Sequence, residues 1–283
     1  MSTKELIQIR IAKSPESQVK LKDLISGSSA RYPSTSSGRA RVGDVSVVAT
    51  WAKTEGWNPW INNSSLSIKI ILEKNVRLEI LDDLLSFDNL LNVNKIEHEI
   101  EFELHDNSKL FYSCKLKPSL VPVFDWENSS NSSELSKSFD LTKNLKVSLI
   151  GVNADAKVRI KCLAFGTQKL KIQTMQNHLH ENTRSCLCVK NVLLDTAEIE
   201  CDNKIKINTT ACKTLANQIN RNLIIGENAH VISKPQLEIE NDDVKCKHGA
   251  ATKTVDEDQL FYLQCRGLNY LEARQLLIKG FLS

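Results

Sequence analysis

From Lys146 onward the chain reads as short runs in which apolar and polar residues alternate. KVSLIGV, AKVRIKCLAFG, KLKIQTM, SCLCVKNVLL, AEIEC and KIKINTTA follow one another with only a few turn residues between them. A period of two sends successive side chains to opposite faces of an extended strand. No helical pattern of about 10–15 residues separates the runs, so the crossover helices of a doubly wound α/β sheet are missing. A sandwich or a solenoid of short strands satisfies the pattern. Short strands at a spacing of roughly ten residues suit a mainly β fold of the parallel β-helix type, in which each coil buries a face against the next. On that reading Val147, Leu149, Val158, Ile160, Ile205 and Ile207 fill the core.

The alternation extends upstream through DVSVVAT, SLSIKIIL, VRLEIL, IEHEIEFEL (96–104) and LFYSCKL, all strands with one wet face. Before them, residues 14–27 carry a helix signature: Ser14 as cap, Pro15 at the first helical position and Gly27 as stop. The Ser-, Gly- and Arg-rich stretch 28–43 reads as an exposed loop, and DWENSSNSSELSKS (125–138) as a polar break. Three regions follow: an N-terminal region 1–140, a β-helix core 141–255 and a C-terminal helical hairpin 256–283. In the hairpin, Leu260, Tyr262 and Leu263 mark one helix and Gly267 its end; Asn269 with Glu272 forms a capping box for the next.

Composition excludes several function classes. With 41% apolar residues a sizeable core is affordable, and 37 Lys and Arg against 34 Asp and Glu leave a charge of only +3, too little to imply nucleic acid. No apolar run reaches the roughly 18 residues of a membrane span, so the reading is a soluble, cytoplasmic chain away from membranes. The eight cysteines lie mostly within strand-like runs, which fits reduced thiols. There is no phosphate-binding loop, nucleophile elbow or dinucleotide fingerprint, so no enzyme is expected. Aromatic residues make up 6%, and Trp51, Trp57 and Trp60 precede the solenoid, which argues against polysaccharide binding along it.

Cys246 and His248, one residue apart in extended chain, point to one side and form an incomplete pair of metal ligands. Cys186 and Cys188 repeat the spacing and read as core packing, and Cys265 as part of a packed helix surface. His178, with His180 beside it in a turn-like stretch, reads as a hydrogen-bonded structural residue. The doublets Asp82–Asp83 and Asp242–Asp243 read as solvated turns.

NRNLIIG (220–226), KPQLEIENDDVKCKHGAATKTVDEDQLFYLQCRGL (234–268) and EARQLLIKGF (272–281) resemble the C-terminal core of the SufB/SufD family. The likeness continues more weakly through 145–158 and 166–199, whereas residues 1–140 share only its general character. It implies a right-handed parallel β-helix with C-terminal helices, a SufB-type partner joined through the β-helices, and a SufC-type ATPase held by the helical end. It also implies a scaffold role in iron–sulfur cluster assembly, with the cluster built transiently together with SufB and none held stably by this chain alone. SufB-type sequences carry a Glu where this chain has Gly249 and a functional Cys where it has Asn220, so the resemblance is SufD-like. His248 and Cys246 are then expected at the cluster-assembly interface, and Phe261, Leu276, Leu277 and Phe281 at the SufC dock. The alternative is a degenerate β-helix that serves as an interaction module without cluster chemistry.

Overall fold

Strands that alternate in sequence become coils by being dealt in turn to two sheets. The structure, a computed structural model, describes residues 6–11, 19–20, 37–42, 45–50, 65–82, 95–116 and 140–283. One sheet takes β5 (Ser65–Leu72), β7 (Lys95–Leu104), β9 (Asp140–Leu149), β11 (Lys169–His178), β13 (Glu198–Ile207) and β15 (His230–Ile239). The other takes β6 (Arg77–Asp82), β8 (Lys109–Leu116), β10 (Asp155–Ala164), β12 (Arg184–Leu193), β14 (Thr214–Ile224) and β16 (Val244–Thr254). We call them the odd and even sheets. Every pairing among these strands is parallel and joins neighbouring coils, as in β11 with β9 and β13. This is a parallel β-helix, followed by α1 (Glu257–Cys265) and α2 (Tyr270–Leu282), the second of which packs on its flank. Val147, Leu149, Val158, Ile160, Ile205 and Ile207 are all buried in it.

The N-terminal segments extend the same ladders. β1 (Leu6–Ile11) pairs parallel with β5, and β2 (Val19–Lys20) with β6. β3 (Ser37–Val42) and β4 (Val45–Thr50) form an antiparallel pair that joins β1 through β4. Two expectations are corrected here. Within the segment read as a helix over 14–27, Val19 and Lys20 are strand, and within the segment read as a loop over 28–43, Ser37–Val42 is strand. The reason is the same in both places: a neighbouring strand offers backbone partners, and that pairing outweighs local cap and composition signals. The remainder of both segments, and the break at 125–138, lie outside the described residues. The ladders run across residue 140, since β7 pairs directly with β9.

The corners of the coils are set by residues that accept positive φ. Asn75, Asn107, Asn153 and Asn182 all adopt it, at 57–63°. Asn can hold this conformation because its short side chain bonds locally. These side chains also stack between coils: Asn107 Nδ2 donates to Asn75 Oδ1 at 3.2 Å, and Asn153 Nδ2 to Asn107 Oδ1 at 3.0 Å. Gly151 and Gly226 mark corners where coils nearly touch, because a Cβ there would lie 2.1 Å from Asp106 N and 2.2 Å from Asp195 O.

The hairpin forms as its cap residues dictate. Asp256 accepts from the backbone N–H groups of Asp258 and Gln259; Asn269 and Glu272 complete a reciprocal capping box; Gly267, at φ +94°, ends α1. Ile278, Phe281 and Leu282 of α2 pack on Leu163, Val192, Leu194 and Leu223 of the solenoid. Burying side chains of this kind contributes about 1.5–3 kcal/mol each.

Candidate functional site at the open end of the solenoid

The inward-facing side chains change character along the axis. Through β5–β10 they are largely apolar, from Ile68 and Ile70 to Val158 and Ile160. One exception is a buried ionic cluster in which Lys143 Nζ lies 2.6 Å from Asp82 Oδ2 and 2.8 Å from His98 Nδ1, while Tyr112 donates its hydroxyl to the same Asp82 oxygen. Burial by itself would raise the Asp82 carboxyl, but the charge of Lys143 and the hydrogen bonds from Lys143 and Tyr112 hold it well below the usual carboxylate range. Burial and the adjacent Lys143 push His98 down to about 3. Asp82 is therefore no solvated turn residue. It sits at an inward register position, and its partner comes from another coil.

From β11 onward the interior turns polar. Thr174 donates to Asn203 Oδ1 at 2.9 Å, and Asn191 Nδ2 donates to Asn222 Oδ1 at 2.8 Å and contacts Cys201 Sγ at 3.2 Å. Both side-chain polar atoms of Gln176 are buried without a partner. His178 is buried with its ring nitrogens 2.8 Å from Thr183 Oγ1 and Ser185 Oγ, and burial lowers it to about 4. It is the structural histidine expected at that corner.

This polar interior leads to the last coil, which is open. Asn220 donates to Ser233 on β15 at 2.8 Å, and Asn222 to Thr252 on β16 at 3.0 Å. The register places Ala216 opposite Cys246 and Gln218 opposite His248. Ala216 and Gln218 point inward and are buried, so Cys246 and His248 share the inward face. Cys246 is half-buried against Ile205, Ile207 and Ala211, and burial raises its thiol. His248 is exposed, as is Gly249, where a Cβ would meet nothing. Among the described residues no three His, Cys, Asp or Glu side chains are grouped to hold a metal ion.

The other candidates fall elsewhere. Cys186 is exposed and Cys188 half-buried on the outer face of the even sheet, contrary to core packing, because Ser185, Leu187 and Val189 take the inward positions of β12. Cys265 is exposed on α1. Phe261 and Leu276 are 68% and 49% exposed, whereas Leu277 is half-buried and Phe281 packs on the solenoid beneath Lys190 and Lys253. Tyr262, 60% exposed, lines with Leu263 and Leu277 a shallow groove of about 350 Å³ that the apolar spacing alone did not single out. The amides of Asn191 and Asn222 behind the open coil were also missed; their signal is a polar residue at an inward position of an otherwise apolar strand.

Residues 129–281 match the family described as SUF system FeS cluster assembly, SufBD core domain. The chain belongs to this family. It is SufD-like. The iron–sulfur cluster assembly protein SufD of Escherichia coli (strain K12) is 33% identical over 141 residues, 50% of this chain and 33% of that protein. A SufBD family protein of Synechocystis sp. (strain ATCC 27184 / PCC 6803 / Kazusa) is 39% identical over 105 residues, 37% of this chain and 23% of its own. The chloroplastic protein ABCI7 of Arabidopsis thaliana is 46% identical over 80 residues, 28% of this chain and 17% of its own. The chain thus spans a third or less of the length of these relatives. Among the described residues no helix is long and apolar enough to cross a membrane.

Proposed function

We propose that this chain is a non-enzymatic scaffold subunit of SUF iron–sulfur cluster assembly, acting in the cytoplasm and pairing with a SufB-type subunit through its open last coil. The observation that carries the reading is that coil. β15 and β16 end their sheets, so each presents a backbone edge without a partner strand among the described residues. Such an edge is a template for pairing with another chain. Ile232 and Ile239 on β15 are 53% and 43% exposed, which suits burial by a partner. The cluster is cargo here: the thiolate of Cys246 and the imidazole of His248 supply two donors, and a SufB-type subunit would complete the set. Gly249 leaves room for the partner backbone. The exposed face of α1 and α2, with Phe261, Tyr262 and Leu276, is the proposed dock for a SufC-type ATPase.

The test is reconstitution with SufB- and SufC-type proteins. The chain should co-purify with both, deletion of residues 269–283 should release the ATPase but retain the SufB-type subunit, and His248→Ala should assemble yet build clusters poorly. Normal cluster formation by His248→Ala would make that residue structural. ATP turnover by the isolated chain would end the scaffold reading, and co-purification without any effect on clusters would leave an interaction module.

A further inference from the structure

The two outer faces of the solenoid carry their charges differently. On the odd sheet, cations and carboxylates are interleaved and paired from coil to coil: Lys146 with Glu101 at 2.7 Å, Lys169 with Glu198 at 3.1 Å, Lys234 with Glu200 at 2.7 Å. On the even sheet from β8 to β16, no ion pair joins the described outward residues. Lys115, Lys161, Lys190 and Arg221 instead stand in direct register on four consecutive strands. Adjacent strands lie about 4.8 Å apart, and like charges directly opposite one another are destabilising. The repulsion registers on Lys161, whose pKa is lowered by burial and then by Lys190, Lys115 and Arg159. Exposed Lys157, Arg184 and Lys247 widen the patch, and Asp155 is its one outward acid.

The chain already covers part of this patch with a partner of negative character. The end of α2 lies on it, where Lys161 donates to the Ser283 carbonyl at 2.8 Å and Lys190 and Lys253 flank the Phe281 ring. A helix C-terminus carries partial negative charge, so the contact is complementary. It leaves Lys157, Arg184 and Lys247 exposed.

We infer that the outer face of the even sheet is a docking surface for an acidic segment of another protein. Protein is favoured over nucleic acid by what lies between the cations. Leu215 is 41% exposed and Ile219 half-exposed on β14, which suits a segment that carries apolar side chains among its acids. The aromatic rings on this face already carry cations, Phe111 the Arg159 guanidinium at 5.2 Å and Phe281 Lys190 and Lys253, which leaves less ring surface on which a base would stack. This docking surface rests on the charge geometry of the solenoid and is independent of the pairing proposed for the last coil.

The experiment is fluorescence anisotropy of the full chain with labelled poly-L-glutamate, and with a labelled DNA duplex of matched charge, over rising NaCl. Poly-L-glutamate should bind, and weaken as salt screens the contact. The triple variant Lys157→Glu, Arg184→Glu, Lys247→Glu should lose about tenfold or more in affinity, while the conservative Lys157→Arg, Arg184→Lys, Lys247→Arg keeps it. Charge reversal at Lys171 and Lys234 on the odd sheet should leave affinity within about twofold, with folding of each variant checked by thermal melting. The proposal is overturned if poly-L-glutamate does not bind at low salt, if reversal on the odd sheet is equally damaging, or if the duplex binds more tightly.

Discussion

The coils around β6–β9 and the last coil of β15 and β16 are written in the same alternating pattern, yet one closes over its inward residues and the other presents them. Lys143 is an inward residue of β9 and is completely buried, with Asp82 and His98 reaching it from other coils. His248 is an inward residue of β16 and is exposed, because no strand among the described residues stacks beyond β16. In a solenoid, then, facing inward is a property of the strand, whereas being buried is a property of the stack. A polar residue at an inward position is a core device in the middle and a recognition device at the end.

The comparison is sharpest at Lys143. Replacing it with Ala leaves Asp82 buried without its counter-charge and should cost about 3–5 kcal/mol in urea unfolding, whereas Lys143→Met with Asp82→Leu should recover most of that loss. A Lys143→Ala variant as stable as the parent would mean that the middle coils are as open as the last.

Acid probes the closed coils next. His178 is held neutral at about 4 by burial, below the roughly 6.5 of an unfolded chain, so the unfolded state binds the proton first. Its contribution is complete above about pH 6.5 and should fade as pH falls toward 4, to the extent of about 3 kcal/mol. His98 and Asp82, both shifted downward, act in the same direction. Thermal melting between pH 7 and 4 should show the fall, and His178→Gln should reduce it by about half, the remainder belonging to His98.

A smaller effect is expected where coils touch at their corners. Gly226→Ala drives a Cβ against the Asp195 backbone and should cost about 1–3 kcal/mol by chemical denaturation. The last coil should give the least: His248→Ala should change the stability of the isolated chain by no more than about 0.5 kcal/mol. A large loss there would place His248 in the core rather than at an interface.

Much of this was legible. The period of two located β5 to β13, though it split β13 into two runs, and named the inward residues Val147, Ile160 and Ile205; β14 to β16 lay beyond the runs it picked out. The cap residues Asn269 and Glu272 located α2. Cys246 and His248 were read as sharing a face, and the register agrees. Other readings failed for identifiable reasons. Asp82 read as a turn acid because its partner Lys143 lies 61 residues away. Cys186 and Cys188 read as core because two thiols in an apolar run leave the parity of the strand open, and the neighbouring coils decide it. Val19 and Lys20 read as helix because caps act locally while β6 acts from a distance.

What the sequence determined by itself is therefore whatever depends on neighbours along the chain: strand periodicity, helix caps, the Asn residues able to take positive φ at the corners, and the segments that mark the SufBD family. What only the tertiary structure decided is whatever depends on neighbours across the ladder. The ion pair inside the solenoid joins Lys143 to an acid 61 positions away on the facing sheet, the row of like charges on the even sheet arises between strands about 4.8 Å apart in space whose residues stand some thirty positions apart in sequence, and the exposure of His248 depends on the end of the stack; no local signal encodes which coil lies above and which lies below.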